Sequence, residues 1–264
     1  MCRFLVYWGM KSQNLSGLIL TEENSLFSQS QNDCTNRPNP DGWGFAYRDG
    51  KNINLIKSPA PAFEDQKYLP AAKEIHSDLL FAHVRRKSQG TVSYENTHPF
   101  VQDRWMFMHN GNVPDFNQSK TEILRNLPKD CKIQTLGSTD SEFLFNYFLC
   151  RMQIGQKSTL EDALNIISSI IRQVIELTSP NERQQLALNF MLTNGDFMIG
   201  FRRNRTLFYR LSHKETIISS EKLDSLNHWN EVPENHFIVG SKPGQVELAS
   251  KDISLTNLEY QHTC

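Results

Sequence analysis

Three consecutive stretches decide the fold. They are Thr139-Asp-Ser-Glu-Phe-Leu-Phe-Asn-Tyr-Phe148, Ser158-Thr-Leu-Glu-Asp-Ala-Leu-Asn-Ile-Ile-Ser-Ser-Ile-Ile-Arg-Gln-Val-Ile175 and Leu186-Ala-Leu-Asn-Phe-Met-Leu-Thr-Asn-Gly-Asp-Phe-Met-Ile-Gly-Phe201. The first opens with Thr139 and Glu142 in capping-box spacing and continues through Phe143, Leu144, Tyr147 and Phe148, which predicts a helix. The second opens with Ser158 and Glu161 in the same spacing. It places Leu160, Ala163, Leu164, Ile167, Ile170, Ile171, Val174 and Ile175 on one stripe of a second helix. The third is two apolar runs joined by Asn194-Gly195, a β-hairpin signature.

Outward from these, the chain reads as strands on both sides. Upstream, Phe4 to Trp8, Leu79 to Val84 and Trp105 to Met108 are short apolar runs expected to be buried strands. Phe45 to Tyr47 and Ile53 to Ile56 flank Asp49-Gly50 as a hairpin. Asn36 to Asp41 reads as a polar loop, and Phe63 to Ser77 as partly helical, broken by Pro70. Downstream, Leu207 to Leu211, Phe237 to Val239 and Val246 to Ala249 are further strands. Strands, two adjacent helices and strands again do not make the alternation of a doubly wound parallel sheet. The order predicts an α+β layering of antiparallel sheets covered by helices. With no repeat or low-complexity linker, residues 1–264 are expected to form one domain.

Composition narrows the function classes. Lys+Arg at 28 against Asp+Glu at 29 leaves a net charge of −1, which argues against a nucleic-acid binder. The basic runs Arg85-Arg86-Lys87 and Arg202-Arg203-Asn204-Arg205 are short and read mainly as solvated surface. No apolar run approaches the roughly 18 residues of a spanning helix, so no membrane partner is expected. No cleavage-site pattern follows Phe4 to Met10, and no secretory signal is expected. Five cysteines, with no C-x-x-C pair, fit reduced thiols in a cytoplasmic protein better than a disulfide framework or a zinc site. No metal or cofactor is called for.

Position singles out Cys2. Methionine excision acts where the second residue is small, and removal of Met1 would leave Cys2 with a thiol and a free α-amine on one residue. An ordinary thiol, pKa about 8.5, is scarcely ionised at neutral pH, whereas an α-amine, pKa about 7.7–8.0, is partly unprotonated there. The amine can therefore serve as the thiol's base, directly or through water. An isolated Met-Cys start carries no such meaning by itself.

Other residues complete such a site. A thiolate attacking an amide creates an oxyanion, and each preorganised donor to it stabilises the transition state by roughly 3–4 kcal/mol. Trp105-Met-Phe-Met-His-Asn110-Gly111 is a strand ending where the Asn110 side chain and Gly111 N–H can converge on one oxygen, although Asn-Gly alone is an ordinary turn. Arg85 ends a strand, and its planar guanidinium suits a carboxylate. Asp140, in the first turn of its helix, can hold an ammonium or merely complement the helix dipole. Together Arg85 and Asp140 match the two charged ends of an amino acid.

The ordered set Met1-Cys-Arg-Phe4, Asp41-Gly-Trp-Gly44, His83-Val-Arg85, Asn96-Thr-His-Pro-Phe100, His109-Asn-Gly111 and Ser138-Thr-Asp-Ser-Glu142 resembles the class II glutamine amidotransferases, which are N-terminal-nucleophile (Ntn) hydrolases. The resemblance is strongest to the small stand-alone YafJ-like branch. That branch includes the ergothioneine-pathway γ-glutamyl amidohydrolase and the amidotransferase-like subunit of fungal glutathione degradation. The resemblance implies a four-layer αββα sandwich forming a single type-2 amidotransferase domain. It implies that Cys2 is nucleophile with its amine as base, that Asn110 and Gly111 form the oxyanion hole, and that Arg85 and Asp140 bind the glutamine α-carboxylate and α-amine. His98 and Ser88 would support the site from behind; His83 and His109 would serve packing and hydrogen bonding. Large amidotransferases continue after the arginine as Trp-Ala-Thr-His-Gly, where this chain has Arg86-Lys-Ser-Gln-Gly90. Gly90 is kept and Ser88 supplies a hydroxyl, but Gln89 is a departure that bears on how free glutamine is held and how the loop closes.

The expected activity is cleavage of the γ-amide of glutamine, or of a γ-glutamyl compound, through a Cys2 thioester. Since the motifs leave no room for a synthase domain, two options stay open: a separate ammonia-accepting synthase subunit as partner, or a protein that is simply an amidohydrolase. Two other roles remain open at this stage: a γ-glutamyl peptide hydrolase subunit in thiol metabolism, and a non-catalytic interaction subunit that keeps the fold.

Overall fold

A computed structural model describes residues 2–152 and 159–251. In chain order the elements are β1 (Arg3–Asn14), a π turn (Gly17–Thr21), α1 (Leu26–Gln31), β2 (Trp43–Asp49), β3 (Asn52–Ser58), α2 (Tyr68–Glu74), β4 (His76–Val84), β5 (Phe100–Gln102), β6 (Trp105–Asn112), α3 (Phe116–Arg125), α4 (Asp140–Arg151), α5 (Leu160–Leu177), β7 (Ala187–Thr193), β8 (Met198–Phe201), β9 (Phe208–Ser212), β10 (Glu215–Ser219), β11 (Asn230–Glu231), β12 (Phe237–Lys242) and β13 (Gln245–Ala249). They build one sheet ordered β11-β9-β10-β1-β4-β2-β3 and a second ordered β13-β12-β8-β7-β6-β5. The pairings are antiparallel throughout.

Side-chain alternation sorts three cores. Phe4, Val6 and Trp8 of β1, with Leu79 and Phe81 of β4, meet Met106, Met108, Met191, Met198 and Ile238 of the second sheet. The intervening residues point the other way. Leu5, Tyr7, Leu80, Ala82 and Val84 pack beneath Leu26 of α1 and Tyr68 and Ala72 of α2. On the second sheet Phe107, Leu188, Phe190, Leu192 and Phe201 lie against α4 and the stripe of α5. The result is helix, sheet, sheet, helix: the α+β αββα sandwich. Burial on both faces explains why the central strands read as continuous apolar runs rather than alternating ones. Truncating a fully buried member of the α5 stripe, such as Ile167→Ala, would cost about 2–5 kcal/mol.

Local chemistry refines several expectations. The Asp49-Gly50 turn forms with Gly50 at φ 62°, a left-handed backbone that glycine adopts at low cost. Pro70 does not break its helix. It is the third residue of α2, inside the first turn where backbone N–H groups have no intrahelical acceptor. At α4 the Thr139 hydroxyl accepts from Glu142 N as expected. The Glu142 carboxylate, however, turns to the N–H groups of Leu136 and Gly137 instead of closing the reciprocal box. The cap of α5 is Thr159 with Asp162, one residue later than the Ser158–Glu161 reading, and Ser158 lies outside the described residues.

Two expectations are corrected. Cys131 and Cys150 are joined in a disulfide with Cα atoms 5.4 Å apart, so the reading of reduced cysteines holds only for Cys2 and Cys34 among the described residues. The run Arg202 to Arg205 is not a solvated face. Arg202 and Arg203 are buried: Arg202 pairs with Glu231 and Glu234, and Arg203 donates to Asn235. The run follows β8 into the interior, where burial of charge demands such partners.

Candidate active site

The beginning of β1 is held more firmly than a chain end usually is. Its register against β4 pairs Arg3 with Val84, which brings Cys2 alongside the segment leaving β4. The half-buried Cys2 Sγ donates to the Arg86 carbonyl at 3.2 Å and accepts from Arg86 N at 3.4 Å. By the two-residue period Cys2 shares the side of Phe4, facing between the sheets, while Arg3 points the other way. Arg3 is only 1% exposed. It donates to the Cys2 carbonyl at 2.8 Å and to Cys34 Sγ at 3.2 Å, and pairs with Asp33 at 3.2 Å and with Glu221. Burial works against its charge, but Glu221 and then Asp33 outweigh it, and the guanidinium is held above its ordinary range.

Arg85 lies just beyond β4 and is 2% exposed. Its guanidinium donates to the Thr91 carbonyl at 3.1 Å and the Gln89 carbonyl at 2.8 Å, so the turn after β4 wraps around it. Burial lowers its pKa, and Cys2, Asp41 and Asp140 act in the opposite direction. Cys2 and Asp140 are therefore each within electrostatic reach of Arg85.

The other wall is the end of β6. Asn110 is buried and stands opposite Asn189 of β7. Gly111 follows, and a Cβ there would fall 2.0 Å from His109 Nε2 and 2.1 Å from the Ala187 carbonyl, so only glycine fits. Asp140, the first residue of α4, accepts from Val113 N at 2.8 Å through Oδ2 and from Ser141 N at 2.8 Å through Oδ1. This fastens the helix to the exit of β6. His109 bridges the same elements, with Nδ1 2.9 Å from Ser141 Oγ and Nε2 3.1 Å from the Ala187 carbonyl. The carbonyl can only accept, so Nε2 carries a proton, and the Ser141 hydroxyl beside Nδ1 also donates to Asp140 Oδ1 at 3.2 Å. Burial lowers the His109 pKa, with Asp140 opposing.

The remaining motif residues build the frame. Asn96 is buried and donates to the Thr91 carbonyl at 3.0 Å, while its Oδ1 accepts from Ser138 N at 2.7 Å. It thereby ties the 91–96 loop to the entrance of α4. The Gly42 carbonyl accepts from Arg85 N at 2.7 Å, and Trp43 Nε1 donates to Asp65 at 3.0 Å. His98 stacks on His83 with ring centroids 4.3 Å apart, and neither ring has a hydrogen-bond partner among the described residues. Burial, then the charge of Arg85, pushes His83 down to about 3; burial, then His83, holds His98 well below its ordinary value. Both are neutral packing groups. Ser88 is exposed and makes only a long 3.4 Å contact with the Gly111 carbonyl. Gln89 supplies the real closure, donating to Asn112 Oδ1 at 2.9 Å and to the Val113 carbonyl at 2.8 Å.

The structure thus gathers Cys2, Arg85, Asn110, Gly111 and Asp140 at one end of the sandwich. Sequence reasoning assigned no part to Arg3, Asp33, Glu221 or Asn189. The Arg3 beside Cys2 was the one available signal, because a charge immediately before a buried aromatic must be either paired or exposed. No group of three metal-ligating side chains forms among the described residues, and no helix there is long and apolar enough to cross a membrane.

Comparison with known proteins bears on the family and the fold. Residues 1–216 match the family described as class-II glutamine amidotransferases. A Saccharomyces cerevisiae protein named a probable glutamine amidotransferase is 36% identical over 162 residues, 56% of this chain and 45% of that protein. A Haemophilus influenzae protein named as a glutamine amidotransferase is 30% identical over 206 residues, 75% of this chain and 62% of that protein. The match thus spans about half to three fifths of these relatives. The γ-glutamyl-hercynylcysteine sulfoxide hydrolase of Mycobacterium tuberculosis is 26% identical over 98% of this chain and 97% of its own. Among solved structures, a class-II glutamine aminotransferase domain protein from Silicibacter pomeroyi shares the fold with a TM-score of 0.67 at 22% identity, covering 94% of this chain and 99% of that one. The glutamine phosphoribosylpyrophosphate amidotransferase of Bacillus subtilis superposes with a TM-score of 0.64 at 16% identity, over 97% of this chain and 50% of that one. With the family matching residues 1–216, this chain belongs to the class II glutamine amidotransferases.

Proposed function

We propose that the protein is an Ntn cysteine amidohydrolase that cleaves the γ-amide of glutamine or of a γ-glutamyl compound. Removal of Met1 frees the Cys2 amine, which takes the thiol proton. The thiolate attacks the γ-carbonyl carbon, and the Asn110 side chain and Gly111 N–H receive the oxyanion. Arg85 holds the substrate α-carboxylate and Asp140 its α-ammonium. The C–N bond breaks as the Cys2 ammonium returns its proton to the leaving nitrogen, which departs as ammonia or amine. Water then adds to the γ-glutamyl thioester, releasing glutamate and regenerating the thiol. No step calls for a metal or organic cofactor. The attacking thiol must stay reduced, and a reducing compartment such as the cytoplasm suits that need, with the Cys131–Cys150 bond the feature that runs against it. A separate synthase subunit would be the acceptor if the product is ammonia.

The observation that carries this reading is the placement of Cys2. Its sulfur is fixed on Arg86 at the start of β1, and its carbonyl is clamped by Arg3. Arg85 stands within electrostatic reach. The names of the relatives support the choice of a γ-glutamyl substrate. Cys2→Ala should abolish hydrolysis, and intact mass should show the active protein without Met1. Appreciable turnover by Cys2→Ala, or full activity with Met1 attached, overturns the assignment.

A further inference from the structure

The run Arg202 to Arg205 leaves one cation that the site described so far does not use. β1 lies between β4 and β10. Arg85 leaves β4 on one side of Cys2. On the other side, Ser220 follows β10 and donates from N to the Phe4 carbonyl at 3.0 Å. The Thr206 hydroxyl donates to the Ser220 carbonyl at 2.8 Å, and Asn189, directly opposite Asn110, donates to the Thr206 carbonyl at 3.1 Å. The segment carrying Arg205 is therefore stitched to the entrance of β1 and to the strand beside Asn110. It flanks Cys2 on the side away from Arg85.

Arg205 is half-buried, and its Nε is sealed from solvent without an acceptor. Its one hydrogen bond is from Nη1 to the carbonyl of its neighbour Asn204, and it forms no ion pair among the described residues. The nearby Glu234 carboxylate is engaged by Asn204 N at 2.7 Å and by Arg202 at 3.6 Å. Burial lowers the Arg205 pKa and Arg3 lowers it further, while Cys2 and Glu234 act in the opposite direction. Its guanidinium thus shares a field with the sulfur. A buried N–H lacking an acceptor is rare in folded proteins and costs free energy until one arrives.

With the glutamyl α-carboxylate and α-ammonium at Arg85 and Asp140, the γ-carbonyl lies at Cys2. Since β10 and β4 flank β1 on opposite sides, a leaving nitrogen directed away from Arg85 would extend towards the β10 side. We propose that Arg205 forms a subsite for a carboxylate on the departing amine, so that it ranks γ-glutamyl substrates by whether their leaving group carries that charge. This rests on the γ-glutamyl reading above and names the class of leaving group.

The test compares γ-glutamylglycine, whose leaving group carries a carboxylate, with γ-glutamylmethylamide, whose leaving group is neutral. The wild-type protein favours γ-glutamylglycine in kcat/KM. Arg205→Gln lowers the ratio of the two kcat/KM values by roughly tenfold or more, the size of a lost charge-assisted contact. Arg205→Lys, which keeps the charge but not the planar fork, restores part of that ratio. An equal loss on both substrates, or a wild-type preference for γ-glutamylmethylamide, overturns the subsite whether or not Arg205→Gln folds. Turnover of either substrate by Cys2→Ala in the same assay instead overturns the nucleophile assignment, and the subsite falls with it.

Discussion

The carbonyl of Gln89 accepts from the Arg85 guanidinium at 2.8 Å. The side chain of the same Gln89 donates to the carbonyl of Val113 at 2.8 Å, and Val113 N donates to Asp140. Arg85 and Asp140, the two groups assigned to the ends of the substrate amino acid, are therefore joined through Gln89. This is the position where the chain departs from the large amidotransferases. Gln89→Ala leaves the turn attached through its backbone but frees it from β6. It should raise KM for the γ-glutamyl substrate about 3- to 10-fold, the range of one or two neutral hydrogen bonds, with a smaller change in kcat. Steady-state kinetics separate the two. An unchanged KM would mean that the turn holds Arg85 without this fastening.

Acid should weaken the fold before any carboxylate network fails. His83, His98 and His109 are all held below their ordinary value, chiefly by burial. The unfolded chain binds protons near pH 6.5 where the folded chain does not, so stability is complete above that pH and declines as pH falls. For His83 the decline continues to about 3. Between pH 6.5 and its own lowered value in the fold, each such histidine weakens stability by up to about 1.4 kcal/mol per pH unit. Asp33, Asp65 and Asp224 are shifted down from 3.8 and lose their contribution only below that value. Denaturant midpoints should therefore fall between pH 6.5 and 4.5. His98→Phe should flatten the slope by one histidine's share, and an unchanged slope would count against a neutral buried His98.

The Cys131–Cys150 bond closes a loop between residues 19 apart in sequence. Chain-entropy arguments give such a closure about 3 kcal/mol. Adding a thiol reductant should lower the unfolding midpoint by several degrees in the wild-type protein and not in Cys150→Ser. Equal midpoints with and without reductant would show that the two sulfurs are not bonded in solution.

Much of the architecture was legible because both sheets are buried on both faces. The runs Phe4 to Trp8, Leu79 to Val84 and Leu186 to Thr193 are too apolar to be anything but interior strands, and the α5 stripe has an unmistakable helical period. β10 went unread because Glu215 to Ser219 is short and mixed, and only its place between β9 and β1 makes it a strand. α3 escaped for a similar reason: its Phe116, Ser119 and Ile123 face is thin. Arg202 and Arg203 were misread because a charge run looks the same in sequence whether its partners, Glu231, Glu234 and Asn235, are near or absent. Among the candidate site residues, Cys2, Asn110 and Asp140 stood out only as members of an ordered set of motifs, and Gln89 only as a departure from it. The contacts of Gln89 and Asn189, and the charges around Arg205, come from across the fold, which no local pattern encodes.

The clamp on Arg3 sets how this enzyme would fail when heated. First residues ordinarily fray at temperatures where the rest of a protein is intact. Here the guanidinium that grips the Cys2 carbonyl is sunk between Asp33 and Glu221, and letting go would strand two carboxylates in the interior. The reactive end is thus bound to the fate of the whole sandwich. Warming should silence the chemistry at the melting temperature itself, with no preceding range in which the protein is folded but inert.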